Sequence, residues 1–139
     1  MVHMLWVDDD AYVLKGMLRP LEKDGWKITI AYDLMGATEL IDKYKFDLIL
    51  LDVILPIGKA DYWNERPLEE RIKLGGLEFV KKLNAVGNNT PIAVFSVVRS
   101  KNIINEFKLM GVKKYIFKDG SITPNILKAE LDMLLSESL

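Results

Sequence analysis

At 139 residues, half of them hydrophobic and 28% charged, the chain has room for one globular domain and is too apolar for a disordered one. Nineteen basic against twenty acidic side chains leave a net charge of −1, so direct nucleic-acid binding through bulk charge is not expected. The absence of cysteine excludes a disulfide framework, a thiolate zinc site and a cysteine nucleophile, and no apolar run reaches the roughly 18 residues of a membrane span. A soluble, cytoplasmic domain with no membrane contact is expected.

Met4-Leu5-Trp6-Val7 is a short apolar run that stops at Asp8-Asp9-Asp10, and it predicts the first strand. The pattern fits a natural start at Met4, so the single histidine, His3, is left out of any site. Leu14, Met17, Leu18 and Leu21 recur at helical spacing as far as Gly25, with Pro20 expected to kink or weaken that helix. Trp26, Ile28 and Ile30 alternate with Lys27 and Thr29, as in a half-buried strand. Asp33 is a candidate cap for a helix carrying Leu34, Ala37, Leu40, Ile41 and Tyr44. The apolar stretch over 46–52 suits a strand covered on both faces. Residues 76–83 read as a helix with Leu77, Val80 and Leu83 on one side, and 91–96 as another buried strand. Ile103, Ile104, Phe107 and Met110 mark a helix closed by Gly111. A last strand covers 115–118, and Thr123-Pro124 caps a helix with Ile126, Leu127, Leu131, Leu134 and Leu135 inward. Five strands alternating with five helices predict an α/β domain, a parallel sheet with helices on both faces.

In such a sheet, ligands bind beyond the carboxyl ends of the strands. Strand one is followed by Asp8, Asp9 and Asp10, and strand three by Asp52. Strand four ends in Ser96 and strand five in Lys118. Carboxylates crowded at one edge repel unless a cation lies among them, and hard oxygen donors suit magnesium. An ammonium and a hydroxyl beside them suit a phosphoryl group. Taken singly, each reads otherwise: Asp10 as a helix cap, Asp52 as a turn former before Pro56, Lys118-Asp119-Gly120 as a solvated turn. The charge is also divided along the chain. Residues 1–80 hold 10 basic and 15 acidic side chains, residues 81–139 hold 9 and 5, which matches an acidic site in the first half with a cationic counterpart in the second.

The motifs Leu5-Trp6-Val7-Asp8-Asp9-Asp10, Phe46-Asp47-Leu48-Ile49-Leu50-Leu51-Asp52-Val53-Ile54-Leu55-Pro56, Gly76-Leu77-Glu78-Phe79-Val80, Pro91-Ile92-Ala93-Val94-Phe95-Ser96 and Tyr115-Ile116-Phe117-Lys118 are specific together. From Met4 to about Leu135 the chain resembles a response-regulator receiver domain of two-component signalling, similar to the chemotaxis response regulator. The resemblance implies a three-layer, doubly wound, flavodoxin-like fold with strand order 2-1-3-4-5. It implies that Asp52 accepts a phosphoryl group from a phosphohistidine of a histidine kinase or phosphotransfer protein. It implies a Mg2+ ion held by Asp8, Asp9, Asp52 and the main-chain carbonyl of Ile54. Lys118 is expected to pair with the phosphoryl oxygens and Ser96 to move toward them. Tyr115, at the switch aromatic position, is expected to turn inward with Ser96, although an aromatic in a strand reads equally as packing. The face made by the fourth helix, fifth strand and fifth helix then signals to a downstream output protein by protein–protein contact.

Three features depart from the family pattern. Asp119 stands where a proline usually follows the lysine, so a cis bond there is not expected and Asp119 is a competitor for the Lys118 ammonium. Val97 replaces a smaller residue and is expected to narrow access to Asp52. Asp52 and Gly76 lie 24 residues apart, which implies an insertion over about 57–75, with a short helix opened by Pro67 and ended by Gly75. Two rival readings follow. One is a degenerate receiver serving as an unphosphorylated scaffold. The other, less favoured, is a phosphatase of the haloacid-dehalogenase type, against which Ile54 stands where that chemistry expects an acid/base aspartate.

Overall fold

A computed structural model describes residues 1–56 and 68–138. Five apolar segments form one parallel sheet: β1 (His3–Val7), β2 (Lys27–Ala31), β3 (Leu48–Leu51), β4 (Ile92–Ser96) and β5 (Lys114–Phe117). Their order, β2-β1-β3-β4-β5, is the one the resemblance implies. Side chains alternate across a strand, so each run divides between two cores. Leu5, Val7, Ile49, Leu51 and Val94 face α3 (Leu34–Lys43), α4 (Leu68–Ala85) and α5 (Lys101–Leu109), meeting Ala37, Phe79, Val80 and Phe107. Met4, Trp6, Leu48, Leu50 and Phe95 face the opposite layer, meeting Leu18, Leu21, Leu127, Leu131 and Leu134. That layer holds α1 (Ala11–Leu14), α2 (Arg19–Lys23) and α6 (Pro124–Glu137). The three layers of a doubly wound α/β domain follow. No helix among the described residues is long and apolar enough to cross a membrane.

Local departures have local causes. The first predicted helix is three pieces: α1, a 3-10 turn over Lys15–Leu18, and α2. Pro20 has no N–H for the Gly16 carbonyl, which instead accepts from Arg19, and Pro20 then sits in the first turn of α2. His3 belongs to β1, one residue before the expected start, with Nε2 2.7 Å from Thr29 Oγ1. Asp33, Ser100 and Thr123 accept from backbone N–H groups of the helices they precede. Gly111 closes α5 at φ +96°.

Much of the expected insertion, including Pro67, lies outside the described residues. Its last part corrects the expectation that Gly75 ends one helix before Gly76 opens another: α4 runs through both. The pair serves a close approach instead. A Cβ at Gly75 would overlap the Leu55 carbonyl, and one at Gly76 would lie 2.6 Å from the Asp52 carbonyl oxygen. The Gly76 N–H also donates to the Val53 carbonyl at 3.1 Å. Only glycine lets the helix backbone rest on the segment that follows β3.

Candidate functional site

Strand register brings the site together. Val7 pairs with Leu51, so the next residues, Asp8 and Asp52, emerge side by side, and the Asp52 N–H donates to the Val7 carbonyl at 2.9 Å. Ser96 pairs with Phe117, and the Lys118 N–H donates to the Ser96 carbonyl at 2.9 Å. Among the described residues, Asp8, Asp52 and Ser96 are the only buried polar side chains, with Asp52 5% exposed. Buried carboxylates need partners. Lys118 supplies one to both: its Nζ lies 2.7 Å from Asp8 Oδ2 and 2.9 Å from Asp52 Oδ2.

One ammonium does not balance the acidic charge gathered here. Burial pushes the Asp8 carboxyl up despite the opposing pull of Lys118, and Asp52 adds to the rise. Asp9 is pushed up by burial and then by Asp10, Asp8 and Asp52. Burial works against the Lys118 charge, yet Asp52 and Asp8 together outweigh it and hold the ammonium above its ordinary range. Carboxylate oxygens of Asp8, Asp9 and Asp10 lie within 4.8 Å of one another. Asp10 occupies the cap position of α1 without making a side-chain cap bond, so the capping role weighed for it is not the one it plays. Its N–H instead donates to Asp8 Oδ1 at 2.8 Å. Asp52 stands outside that carboxylate group; its Oδ2 faces Lys118 and its Oδ1 accepts the Ile54 N–H at 3.4 Å. Excess negative charge on hard oxygen donors fits a divalent cation.

A cleft of about 440 Å³ opens here, lined by Asp9, Asp52, Ile54, Val97 and Lys118 among others. Val97, one of its lining residues, is 59% exposed. A larger groove of about 620 Å³ lies at the other end of the strands, lined by Asn84, Asn88, Lys113 and neighbours. It contains none of the three buried polar side chains, whereas Asp52 lines the smaller cleft, which is therefore the candidate site.

Ser96 Oγ accepts the Val98 N–H at 3.2 Å, and the Tyr115 hydroxyl donates to the Val98 carbonyl at 2.6 Å. Tyr115 is half-buried, with its ring against Phe107 and Phe117. Burial pushes its phenol up to about 12; a hydrogen bond with Ser96 opposes this, and the charge of Asp52 reinforces it.

Asp119 does not compete for Lys118, which corrects the expectation from sequence. Its carboxylate pairs with Arg99 and accepts from the Ser121 hydroxyl and the Ser121 N–H. These bonds, those of Ser121 foremost, hold Asp119 below the usual carboxylate range. The Lys118–Asp119 peptide is trans. Arg99 is the residue that sequence reasoning missed. The only signal was the missing proline after Lys118, and it does not point to a partner twenty residues away.

No family model matches the chain. Response regulator MprA of Mycobacterium ulcerans (strain Agy99) is 30% identical over 95 residues, 68% of this chain and 34% of that protein. MprA of Mycobacterium tuberculosis (strain ATCC 25177 / H37Ra) aligns equally well. The chain spans about a third of the length of these curated relatives, 34%. A CheY-like response regulator receiver domain protein from Methanospirillum hungatei JF-1 superposes with a TM-score of 0.78 at 22% identity, covering 99% of this chain and 95% of that one. The receiver domain of Francisella response regulator 1452 gives 0.75 at 24% identity, with both chains fully covered.

Proposed function

We propose that this chain, a receiver domain of the two-component response-regulator family, accepts a phosphoryl group on Asp52 from the phosphohistidine of a histidine kinase or phosphotransfer protein. The observation that carries the reading is the buried Asp8–Lys118–Asp52 bridge, whose Lys118 and Asp52 line the cleft. An Asp52 carboxylate oxygen attacks phosphorus. The phosphorus–nitrogen bond breaks, its electron pair returns to the imidazole, and an acyl phosphate forms on Asp52. Oδ1, whose contact among the described residues is the 3.4 Å bond from Ile54, is the oxygen better placed to attack. Oδ2 stays oriented by Lys118, whose ammonium is at hand for the incoming phosphoryl oxygens. Asp8, Asp9, Asp52 and the Ile54 carbonyl would hold Mg2+, with Asp10 as an added candidate. When bound, that ion supplies charge neutralisation between the carboxylate and the phosphoryl group.

Ser96 would move to donate its hydroxyl to a phosphoryl oxygen and give up the bond that its Oγ accepts from the Val98 N–H. That releases the Val98 peptide, and with it the carbonyl that holds the Tyr115 hydroxyl. The face of α5, β5 and α6 shifts population accordingly and signals to an output protein by contact, in the cytoplasm. Incubating the protein with phosphoramidate or acetyl phosphate and Mg2+ should add the mass of one phosphoryl group, and Asp52→Asn should abolish the gain. The rival reading, an unphosphorylated scaffold, rests on Val97 among the lining residues of the cleft. It predicts no gain even when a phosphorylated histidine protein is the donor.

A further inference from the structure

The residues on either side of Lys118 are gripped by one side chain from another loop. The Arg99 guanidinium pairs with Asp119 and lies over the Phe117 ring, 4.3 Å from its centroid. The other Asp119 oxygen accepts the Ser121 N–H at 2.8 Å and the Ser121 hydroxyl, which closes the turn after β5. Arg99 belongs to the loop between β4 and α5, three residues after Ser96. One further bond ties that loop to β5, Tyr115 hydroxyl to Val98 carbonyl, and the Lys118 N–H, one residue past β5, donates to the carbonyl of Ser96, the last residue of β4. Where a proline would set the backbone after the lysine, this chain has an ion pair and a stacked guanidinium.

We propose that Arg99 and Asp119 are a positioning pair. By holding Phe117 and Asp119, Arg99 sets the backbone at Lys118 and couples it to the loop that follows Ser96. The catalytic consequence rests on the roles given above to Lys118 and Ser96; the coupling itself rests on geometry alone. With Arg99 59% and Asp119 32% exposed, the pair contributes little to global stability, so its effect is local.

The test is a double-mutant cycle in the full chain with Arg99→Ala, Asp119→Asn and both together, plus the charge-swapped Arg99→Asp/Asp119→Arg. Asp119→Asn keeps an acceptor for Ser121 and removes only the charge. Amide hydrogen exchange at Val98 and Lys118, followed by NMR without phosphodonor, is expected to speed up about threefold in each single variant. The double variant should be no faster than the faster single, and the swapped pair should recover part of the loss. Tm should stay within about 5 °C of the native chain. Unchanged exchange, or effects that add, would overturn the coupling. With phosphoramidate and Mg2+, the phosphorylation rate is expected to fall about threefold in the single variants while Mg2+ affinity is unchanged. An unchanged rate beside altered exchange overturns the positioning role. If the native chain takes up no phosphoryl group, the phosphoacceptor reading fails, and the exchange cycle still supports or overturns the coupling by itself.

Discussion

Lys118 places one ammonium between two buried carboxylates, and removing it strands both. Lys118→Met should therefore cost about 3–5 kcal/mol at pH 7 without added metal, the usual penalty for breaking a buried pair from one side. The pH dependence has a defined sign. Burial already raises the Asp8 carboxyl, and losing the ammonium raises it further. A folded carboxyl above its unfolded value binds more protons than the unfolded chain, so the variant should regain stability as pH falls from 7 toward about 4. Urea unfolding at several pH values measures this; a deficit that does not vary with pH would contradict it. In the native protein the raised Lys118 contributes stability below its unfolded value, about 10.5, and loses it only as pH climbs through the higher folded value. Tyr115 gives a second, independent reading. Of the five tyrosines, it should ionise near 12, so phenolate absorbance should show a late component that Tyr115→Phe removes. A phenolate transition with no such late component would place the hydroxyl in water instead.

Two glycines at the seam of α4 and the segment after β3 make an element-scale claim that helix propensity alone would reverse. Alanine is preferred to glycine inside a helix by about 1 kcal/mol. Yet Gly76→Ala should lower stability by about 1–3 kcal/mol, because its Cβ would meet the Asp52 carbonyl oxygen and the Val53 backbone. Gly16→Ala, with nothing within 4 Å, should be neutral or stabilise by up to about 1 kcal/mol. Urea unfolding of the two variants compares them directly; equal effects would remove the close approach from the account. These elements also mark how far the sequence could be read. β1, β3 and β4 were legible because buried runs leave a continuous apolar signature, and β2 because its apolar side chains alternate with polar ones. The continuity of α4 through Gly75 and Gly76 was not, because a glycine that ends a helix and one that allows a close contact look alike in one dimension. The break before α2 was legible as Pro20, but its placement as a 3-10 turn depends on which N–H takes the Gly16 carbonyl.

Across the whole molecule, parallel register turns four separate strand ends into one site. Asp8, Asp52, Ser96 and Lys118 were readable because each follows or ends an apolar run, and the fold aligns those ends. Arg99 was not, since a contact between two loops has no period and no fixed spacing. The divided charge also finds its place: the acidic half supplies Asp8, Asp9, Asp10 and Asp52, and the basic half supplies the Lys118 that bridges two of them. The central claim is that this convergence makes Asp52 a phosphoryl acceptor. It is tested most directly by treating the protein with phosphoramidate and Mg2+, reducing it with borohydride, and mapping the modified residue by peptide mass spectrometry. Reduction of an acyl phosphate converts aspartate to homoserine. The account predicts homoserine at position 52 and nowhere else; homoserine at Asp8, Asp9 or Asp10, or none with either this donor or a phosphorylated histidine protein, would contradict it.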